Sequence, residues 1–282
     1  MEKLKTKAND IDKEIKIRDY LKGHLGFSTS LIAKVKFGGV FINDAPVHMR
    51  AMVTPGDTVS IEYPEEDSEN IDPIDIPLDI IYEDDYILAV NKPINMPVHP
   101  SRGNSLPTLA SAVRAYFNHP FVFRAVNRLD RDTSGLVLIA KDPLSAAIMC
   151  RNIKDGGLEK SYLALIEGTP NPSYGTINAP IDREAENEIK RIVRDSGKES
   201  ITHYSVIKSF ENGDSICRIT PVTGRTHQIR VHMSYIGHPL KHDFLYGTRT
   251  ENITYKLHCE SLKFKHPYTK VDMVLNAPCD FI

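Results

Sequence analysis

The chain has no tryptophan among its 282 residues and only four cysteines. Cys150, Cys217, Cys259 and Cys279 are scattered singly, in the spacing of neither a disulfide framework nor a zinc knuckle, so reduced thiols are expected. Long apolar runs are missing too. None approaches the roughly 20 residues that span a bilayer, and residues 136–140 are typical of the longest. The opening Met1-Glu2-Lys3-Leu4-Lys5 leads into more charge, so no signal peptide is expected. Net charge is slight: 35 Lys and Arg against 37 Asp and Glu leave −2, which argues against indiscriminate coating of nucleic acid. What is present is ordinary for a globular protein. With 41% hydrophobic residues, 16 Gly and 18 Pro, collagenous, low-complexity and wholly disordered classes are excluded. The expectation is a soluble, cytoplasmic, monomeric protein of about two domains, with no membrane association.

Charge is unevenly placed. Residues 221–270 hold eight Lys and Arg against three acids, together with six of the 11 histidines. Residues 64–76 hold Glu65, Glu66, Asp67, Glu69, Asp72 and Asp75 and no basic residue. A balanced total with a locally basic segment fits a protein that meets a polyanion with one face. The acidic stretch lies among Pro64, Pro73 and Pro77 and lacks apolar periodicity, so it reads as a linker. The division is then 1–64, a small domain; 65–76, the linker; and 77–282, a larger domain.

In the small unit, residues 17–25 and 30–37 carry apolar positions at helical spacing around a turn at Gly26, with Ser28 or Ser30 as cap. Strand-like runs follow at 40–42 and 58–61, with Asn43-Asp44 and Pro55-Gly56-Asp57 as turns. The larger unit opens with two β-prone runs around Glu83-Asp84-Asp85, a hairpin. Residues 136–140 read as a strand, and Asp142-Pro143 as the cap and first residue of a helix to about 153. Strands are expected at 162–166, 202–208, 217–221, 255–259 and 271–275, with a helix over 226–235. The pattern predicts an α+β fold: a mixed, mostly antiparallel sheet preceded by a small αβ domain.

Two strings carry chemistry. The first is Asn127-Arg128-Leu129-Asp130-Arg131-Asp132-Thr133-Ser134-Gly135, placed just before a buried strand. A carboxylate beside guanidinium groups stays ionised and serves as nucleophile or base, although a salt-bridged structural loop has the same composition. The second is Thr223-Gly224-Arg225-Thr226-His227-Gln228-Ile229-Arg230-Val231-His232. Thr226 is placed to cap a helix whose first amides suit a phosphate. His227 and His232 are five apart, not the four of a helical metal pair, so no metal site is expected.

Together these strings resemble the large-subunit class of RNA pseudouridine synthases, whose signature is His-Arg-Leu-Asp-x-x-Thr-Ser-Gly. The likeness continues through Glu83-Asp84-Asp85, Asn91-Lys92-Pro93, Val98-His99-Pro100, Lys160-Ser161-Tyr162-Leu163-Ala164-Leu165, Gly237-His238-Pro239-Leu240-Lys241-His242-Asp243-Phe244-Leu245-Tyr246-Gly247 and Leu257-His258. It covers residues 76–282 in order. The first unit resembles the small alpha-L RNA-binding module, with Lys34, Lys36 and Arg50 as phosphate contacts. The resemblance implies isomerisation of uridine to pseudouridine in ribosomal or transfer RNA, without metal or organic cofactor. It implies that Asp130 is the catalytic carboxylate, Tyr162 stacks on the target base, and Arg230 pairs with Asp130. Arg128 is implied to fill the stack when the uridine flips out. Arg225 and His227 are assigned with Arg128, Lys34 and Lys36 to RNA contact. Attack on the anomeric carbon and a glycal route both remain open.

Three positions depart from the family pattern: Asn127 for the usual His, Asn95 for a Gly, and His242 for the Gly before Asp243. Asn is the next residue after Gly to accept a left-handed backbone. Two other classes compete with an active synthase. One is an RNA-binding protein of the same fold whose chemistry has lapsed. The other is a metal-dependent hydrolase, for which no ligand-spaced cluster is seen.

Overall fold

Val59, Ile61 and Tyr63 alternate with polar residues and all three are buried, because period two puts them on one face of a strand. Residues 136–140 are buried without interruption, the pattern of a strand covered on both faces. These two patterns mark two separate sheets. The computed structural model describes residues 2–63, 68, 71–100, 107–154, 156–248, 250–251 and 253–282.

The first part of the chain holds β1 (Glu2–Lys7), β2 (Ile15–Lys16), α1 (Ile17–Gly23), α2 (Thr29–Val35), β3 (Val40–Ile42), β4 (Ala45–Pro46), β5 (Met52–Val53) and β6 (Thr58–Tyr63). The remainder holds β7 (Ile80–Glu83), β8 (Ile87–Lys92), α3 (Leu109–Phe117), β9 (Ser134–Ala140), α4 (Pro143–Lys154), β10 (Leu158–Ile166), β11 (Tyr174–Asn178), β12 (Ile181–Arg183), β13 (Arg191–Val193), β14 (Ile201–Ser209), β15 (Ser215–Pro221), α5 (Gln228–Tyr235), β16 (Leu257–Lys265) and β17 (Asp272–Asn276). Caps fix the helix starts. The Ser28 hydroxyl accepts from the Leu31 amide at 3.1 Å, and the Asp142 carboxylate accepts from the Leu144 and Ser145 amides at 2.8 Å.

The small sheet runs β1-β6-β3-β4. The large one runs β11-β14-β15-β10-β16-β9-β8-β7, with β17 added to β16. Every pairing in it is antiparallel except β16 with β9. The fold is therefore α+β with a mostly antiparallel mixed sheet. No helix among the described residues is long and apolar enough to cross a membrane.

Each sheet has its own apolar cluster, and α4 serves both. Met149 packs into the larger cluster, whereas Leu144 and Ile148 belong to the smaller one with Leu25, Phe27 and Ile32. Burying two such side chains stabilises the contact by about 1.5–3 kcal/mol each. Much of the acidic stretch, including Glu65, Glu66, Asp67 and Glu69, lies outside the described residues. Within it, Ile71 and Ile76 rest against the larger core, and the Ile74 amide donates to the Ser111 carbonyl at 3.1 Å.

Candidate active site

The first motif forms the loop that feeds β9. Asn127 is buried and binds β9 twice: its side-chain amide donates to the Leu136 carbonyl at 3.0 Å, and its oxygen accepts from the Leu138 amide at 2.8 Å. Asparagine carries one donor and one acceptor group, so it satisfies both backbone atoms where the family has histidine. On the other side the fully buried Lys92, at the end of β8, donates to the carbonyls of Pro93 and Met96 at 2.8 Å and Arg131 at 3.0 Å. Burial pushes the Lys92 ammonium down to about 8, with Asp132 and Asp130 opposing the shift. The loop is thus pinned on both sides of Asp130, whose own side chain stays 32% exposed. It is the open group of the site.

Gly135 sits where only glycine fits. Its φ is +107°, and a Cβ there would lie 2.3 Å from the Cys259 carbonyl oxygen. That close approach lets β9 run parallel to β16, with Cys259 opposite Gly135 on one side and opposite Tyr162 of β10 on the other. Tyr162 and the Asp130 loop therefore meet at the centre of the sheet. Burial, then the charge of and hydrogen bond to Cys259, hold the Tyr162 phenol well above its ordinary value, and Asp130 is close enough to add to the shift.

Arg230 projects from α5 and is 3% exposed. Its Nε and one terminal nitrogen each donate to Asp243 at 2.7 Å, a bidentate pair, while the third, Nη1, lies 3.7 Å from Asp130 Oδ2. The guanidinium is also packed against Tyr255 (4.4 Å to the ring centre), Tyr246 (5.0 Å) and Phe244 (5.5 Å). Asp243 and three aromatic rings thus fix a cation that faces Asp130 with its remaining edge.

The helix expected over 226–235 starts later, at Gln228. His227 holds the cap position in the left-handed region, φ 57°, and Thr226 caps nothing. The Gln228 side chain instead closes the turn, accepting from the Arg225 amide at 3.0 Å and the Thr223 hydroxyl at 2.8 Å. This twist turns His227 inward. The Tyr246 hydroxyl accepts from the Arg191 amide at 2.9 Å and shares a hydrogen bond with His227 Nδ1 at 2.8 Å, which leaves Nε2 facing Asp130 Oδ2 at 3.8 Å. Burial pushes His227 below its ordinary value, and Asp130 pulls the other way. His232 is elsewhere: it is fully buried between the Thr202 hydroxyl and the Ala179 carbonyl, a structural role.

The structure therefore gathers Asp130, Arg230, His227 and Tyr162. Arg128 is exposed beside His99, and Arg225 is exposed with Nε donating to the Glu199 carbonyl at 3.1 Å. Lys34 and Lys36 are exposed on the small unit. Asp243, Lys92, Tyr246 and Tyr255 were not singled out from sequence, although the first three stand inside the family-like strings. The two other departures are accommodated by geometry. Asn95 and His242 are both left-handed, φ 58° and 66°, and the His242 ring bonds the Thr250 hydroxyl at 2.7 Å.

A carboxylate open to solvent on one side, backed by a locked guanidinium and next to a buried tyrosine, defines an enzyme site on a mixed sheet. Comparison with known proteins gives the class. Residues 86–235 match the family model described as RNA pseudouridylate synthase. The chain is 38% identical over 269 residues to the RNA pseudouridine synthase YjbO of Bacillus subtilis, covering 93% of this chain and 94% of that one. It is 34% identical to ribosomal large subunit pseudouridine synthase D of Xanthomonas campestris, covering 89% and 81%. Among solved structures, human RNA pseudouridylate synthase domain containing 1 superposes with a TM-score of 0.63 at 29% identity, over 73% of this chain and 85% of that one. The chain belongs to the RNA pseudouridylate synthase family, in its large-subunit class. It is an RNA pseudouridine synthase, an enzyme that isomerises uridine within RNA.

Proposed function

We propose that this synthase acts on uridines of structured ribosomal RNA, with transfer RNA as the second substrate class, and that Asp130 carries the reaction without metal or organic cofactor. The observation that carries this reading is the Asp130–Arg230–Asp243 arrangement, one open carboxylate facing a cation that a second, buried carboxylate holds in place. The ribosomal assignment is supported by relatives from Xanthomonas and Vibrio whose names specify the large ribosomal subunit.

The isomerisation breaks the bond from C1′ to N1, turns the base, and joins C1′ to C5. The C5 proton is released and N1 gains one, so no electrons are exchanged with a third party. Asp130 takes either the anomeric carbon or the 2′ proton, and Arg230 balances its charge in both cases. Tyr162 supports the base, and His227 faces the Asp130 carboxylate with Nε2 at 3.8 Å. Arg128 and Arg225 contact RNA outside the pocket. Three residues able to act together on a metal are not found among the described His, Cys, Asp and Glu side chains. Residues 1–64 are proposed as the RNA-binding domain, 65–76 as the linker, and 77–282 as the catalytic domain of a cytoplasmic monomer.

The test is RNA from a strain lacking the gene, folded in potassium and treated with the full chain plus chelator, then mapped for pseudouridine. The reading expects new pseudouridine in ribosomal RNA. Product confined to transfer RNA would reject the ribosomal assignment, and chelator-sensitive product would reject the cofactor-free mechanism.

A further inference from the structure

Two groups converge on one oxygen of Asp130. His227 Nε2 lies 3.8 Å from Oδ2, and Arg230 Nη1 lies 3.7 Å from the same atom. Both distances exceed a hydrogen bond, and both close with a small turn of a carboxylate that is 32% exposed. Contacts of this kind are often long in a free enzyme and tighten around substrate.

The two groups share an anchor. Asp243 Oδ1 accepts from the Leu245 amide at 3.0 Å and the Tyr246 amide at 3.3 Å, which fixes the turn over residues 243–246. From that turn Asp243 holds Arg230, and the Tyr246 hydroxyl holds His227 Nδ1 at 2.8 Å. The hydroxyl is tied in turn to β13 through the Arg191 amide at 2.9 Å. One turn thus sets the aim of both groups.

His227 does little for its own helix. It holds the cap position of α5 with φ 57°, a region that residues other than glycine seldom adopt, and its side chain makes no capping hydrogen bond. An uncommon backbone conformation beside a reactive group points to function. The ring is 9% exposed, so it is enclosed next to the carboxylate and not offered to an RNA backbone outside the pocket.

We propose that His227 is a positioning residue for Asp130: with Arg230 it holds Oδ2, so that Oδ1 is the oxygen presented to the ribose, and Tyr246 and the Arg191 amide keep the imidazole on aim. The proposal rests on Asp130 carrying the reaction, and it takes the place of the RNA contact expected for His227 from the sequence.

A pH dependence follows. The groups facing the ring are Asp130, Arg230, Asp243, Arg191 and the Tyr246 hydroxyl. Burial first, then the two guanidinium groups, push the imidazole below its ordinary value against the pull of the two carboxylates. At neutral pH the ring is therefore uncharged, and it orients Oδ2 without neutralising the carboxylate. As pH falls through the depressed value, the ring becomes a second full cation beside Asp130. The charged pair that forms draws the carboxylate away from the ribose and lowers its reactivity. The rate should therefore fall on the acid side through His227.

The test measures single-turnover pseudouridine formation by the full chain, from about pH 5.5 to 8. The substrate is RNA from the strain lacking the gene, and RNA affinity and thermal midpoint are recorded for every variant. His227→Asn keeps a polar atom for Tyr246 and loses the one facing Asp130. His227→Gln supplies an uncharged donor at the ε position that does not titrate. Tyr246→Phe removes the hydroxyl and keeps the ring, which packs 5.0 Å from the Arg230 guanidinium. His227→Asn is expected to lower the rate about ten- to a hundredfold at pH 7.5 with RNA affinity unchanged. His227→Gln should recover most of that rate and keep it at pH 5.5, where wild type has lost it. Tyr246→Phe should cause a smaller loss, and none beyond that of His227→Asn when the two are combined. A wild-type rate from His227→Asn overturns the proposal, as does a loss confined to RNA affinity, which would restore the RNA contact. The same acid limb in His227→Gln and wild type, or fully additive losses in the double variant, also overturn it. If His227→Asn fails to fold, His227→Gln and Tyr246→Phe carry the same decision. In this series turnover by Asp130→Asn rejects the catalytic reading, whereas an inactive Asp130→Asn beside a fully active His227→Asn rejects only the positioning role.

Discussion

Arg230 directs its two short hydrogen bonds to Asp243, not to Asp130, the residue we propose it serves. Asp243 is wholly buried, so removing its charge leaves a desolvated guanidinium without its two short hydrogen bonds to a carboxylate, the next being Asp130 at 3.7 Å. Breaking such a buried pair costs about 3–5 kcal/mol. Asp243→Asn is therefore expected to lower the unfolding free energy by about that amount, and to cut activity by at least about a hundredfold because Nη1 no longer keeps its aim. Denaturant unfolding and single-turnover rates check the two effects separately. The sequence names Arg230 and Asp130 through their strings, and the spacing of two separate motifs suffices for that. It does not show that Asp243 anchors the cation, because the anchor depends on the return of residues 240–247 onto α5. Nor does it show that His227 is turned inward, since the left-handed cap at that position contradicts the helical reading of its neighbours.

Among the elements, β8 and β9 frame the loop that carries Asp130, and Lys92, at the end of β8, ties that loop to residues 93–96 through three carbonyls. Lys92→Met removes a penalised buried charge but orphans those carbonyls, at about 1–3 kcal/mol each. The second term wins. The variant is expected to be less stable and at least tenfold less active. A pH signature accompanies it. Lys92 in the folded chain titrates at about 8, below its ordinary 10.5, so between those values the unfolded chain binds more protons. This group's contribution therefore rises as pH increases through that window. The stability gap between wild type and variant should widen from pH 8 to 10, and a constant gap would contradict the buried ammonium. Strands over 136–140 and 162–166 and helix α4 are legible from apolar runs and an Asp-Pro start, whereas the extension of the second strand back to Leu158 is not. Helix α3 was not, nor were β11 to β13, which are short, partly exposed and weakly patterned.

At the scale of the molecule, a proline-flanked acidic stretch separates two sequence patterns, and the structure shows a feature that the stretch hides. One helix, α4, contributes to both cores, a long-range fact that no local signal encodes. Acid sensitivity follows from a different global property. His99, His227, His232 and His258 are all pushed below the ordinary imidazole value, burial being the first cause in each. Below about pH 6.5 the unfolded chain takes up protons that these rings resist, so stability is full above that value and is lost as pH falls through the depressed folded values. The thermal midpoint is expected to drop steadily from pH 7.5 to 5.5, above the range where most carboxylates titrate. A flat or rising midpoint over that range would contradict the burial of these histidines.

We propose that Asp130 performs the isomerisation while its surroundings hold and charge-balance it. Asn keeps the side chain's shape and removes the charge, so Asp130→Asn isolates the chemistry from the scaffold. The most direct measurement is pseudouridine formed per enzyme at saturating RNA, for wild type and Asp130→Asn, with affinity and thermal midpoint recorded on the same samples. If Asp130 carries the reaction, the variant forms no detectable pseudouridine, with RNA affinity and midpoint close to wild type. Appreciable turnover by Asp130→Asn would contradict it.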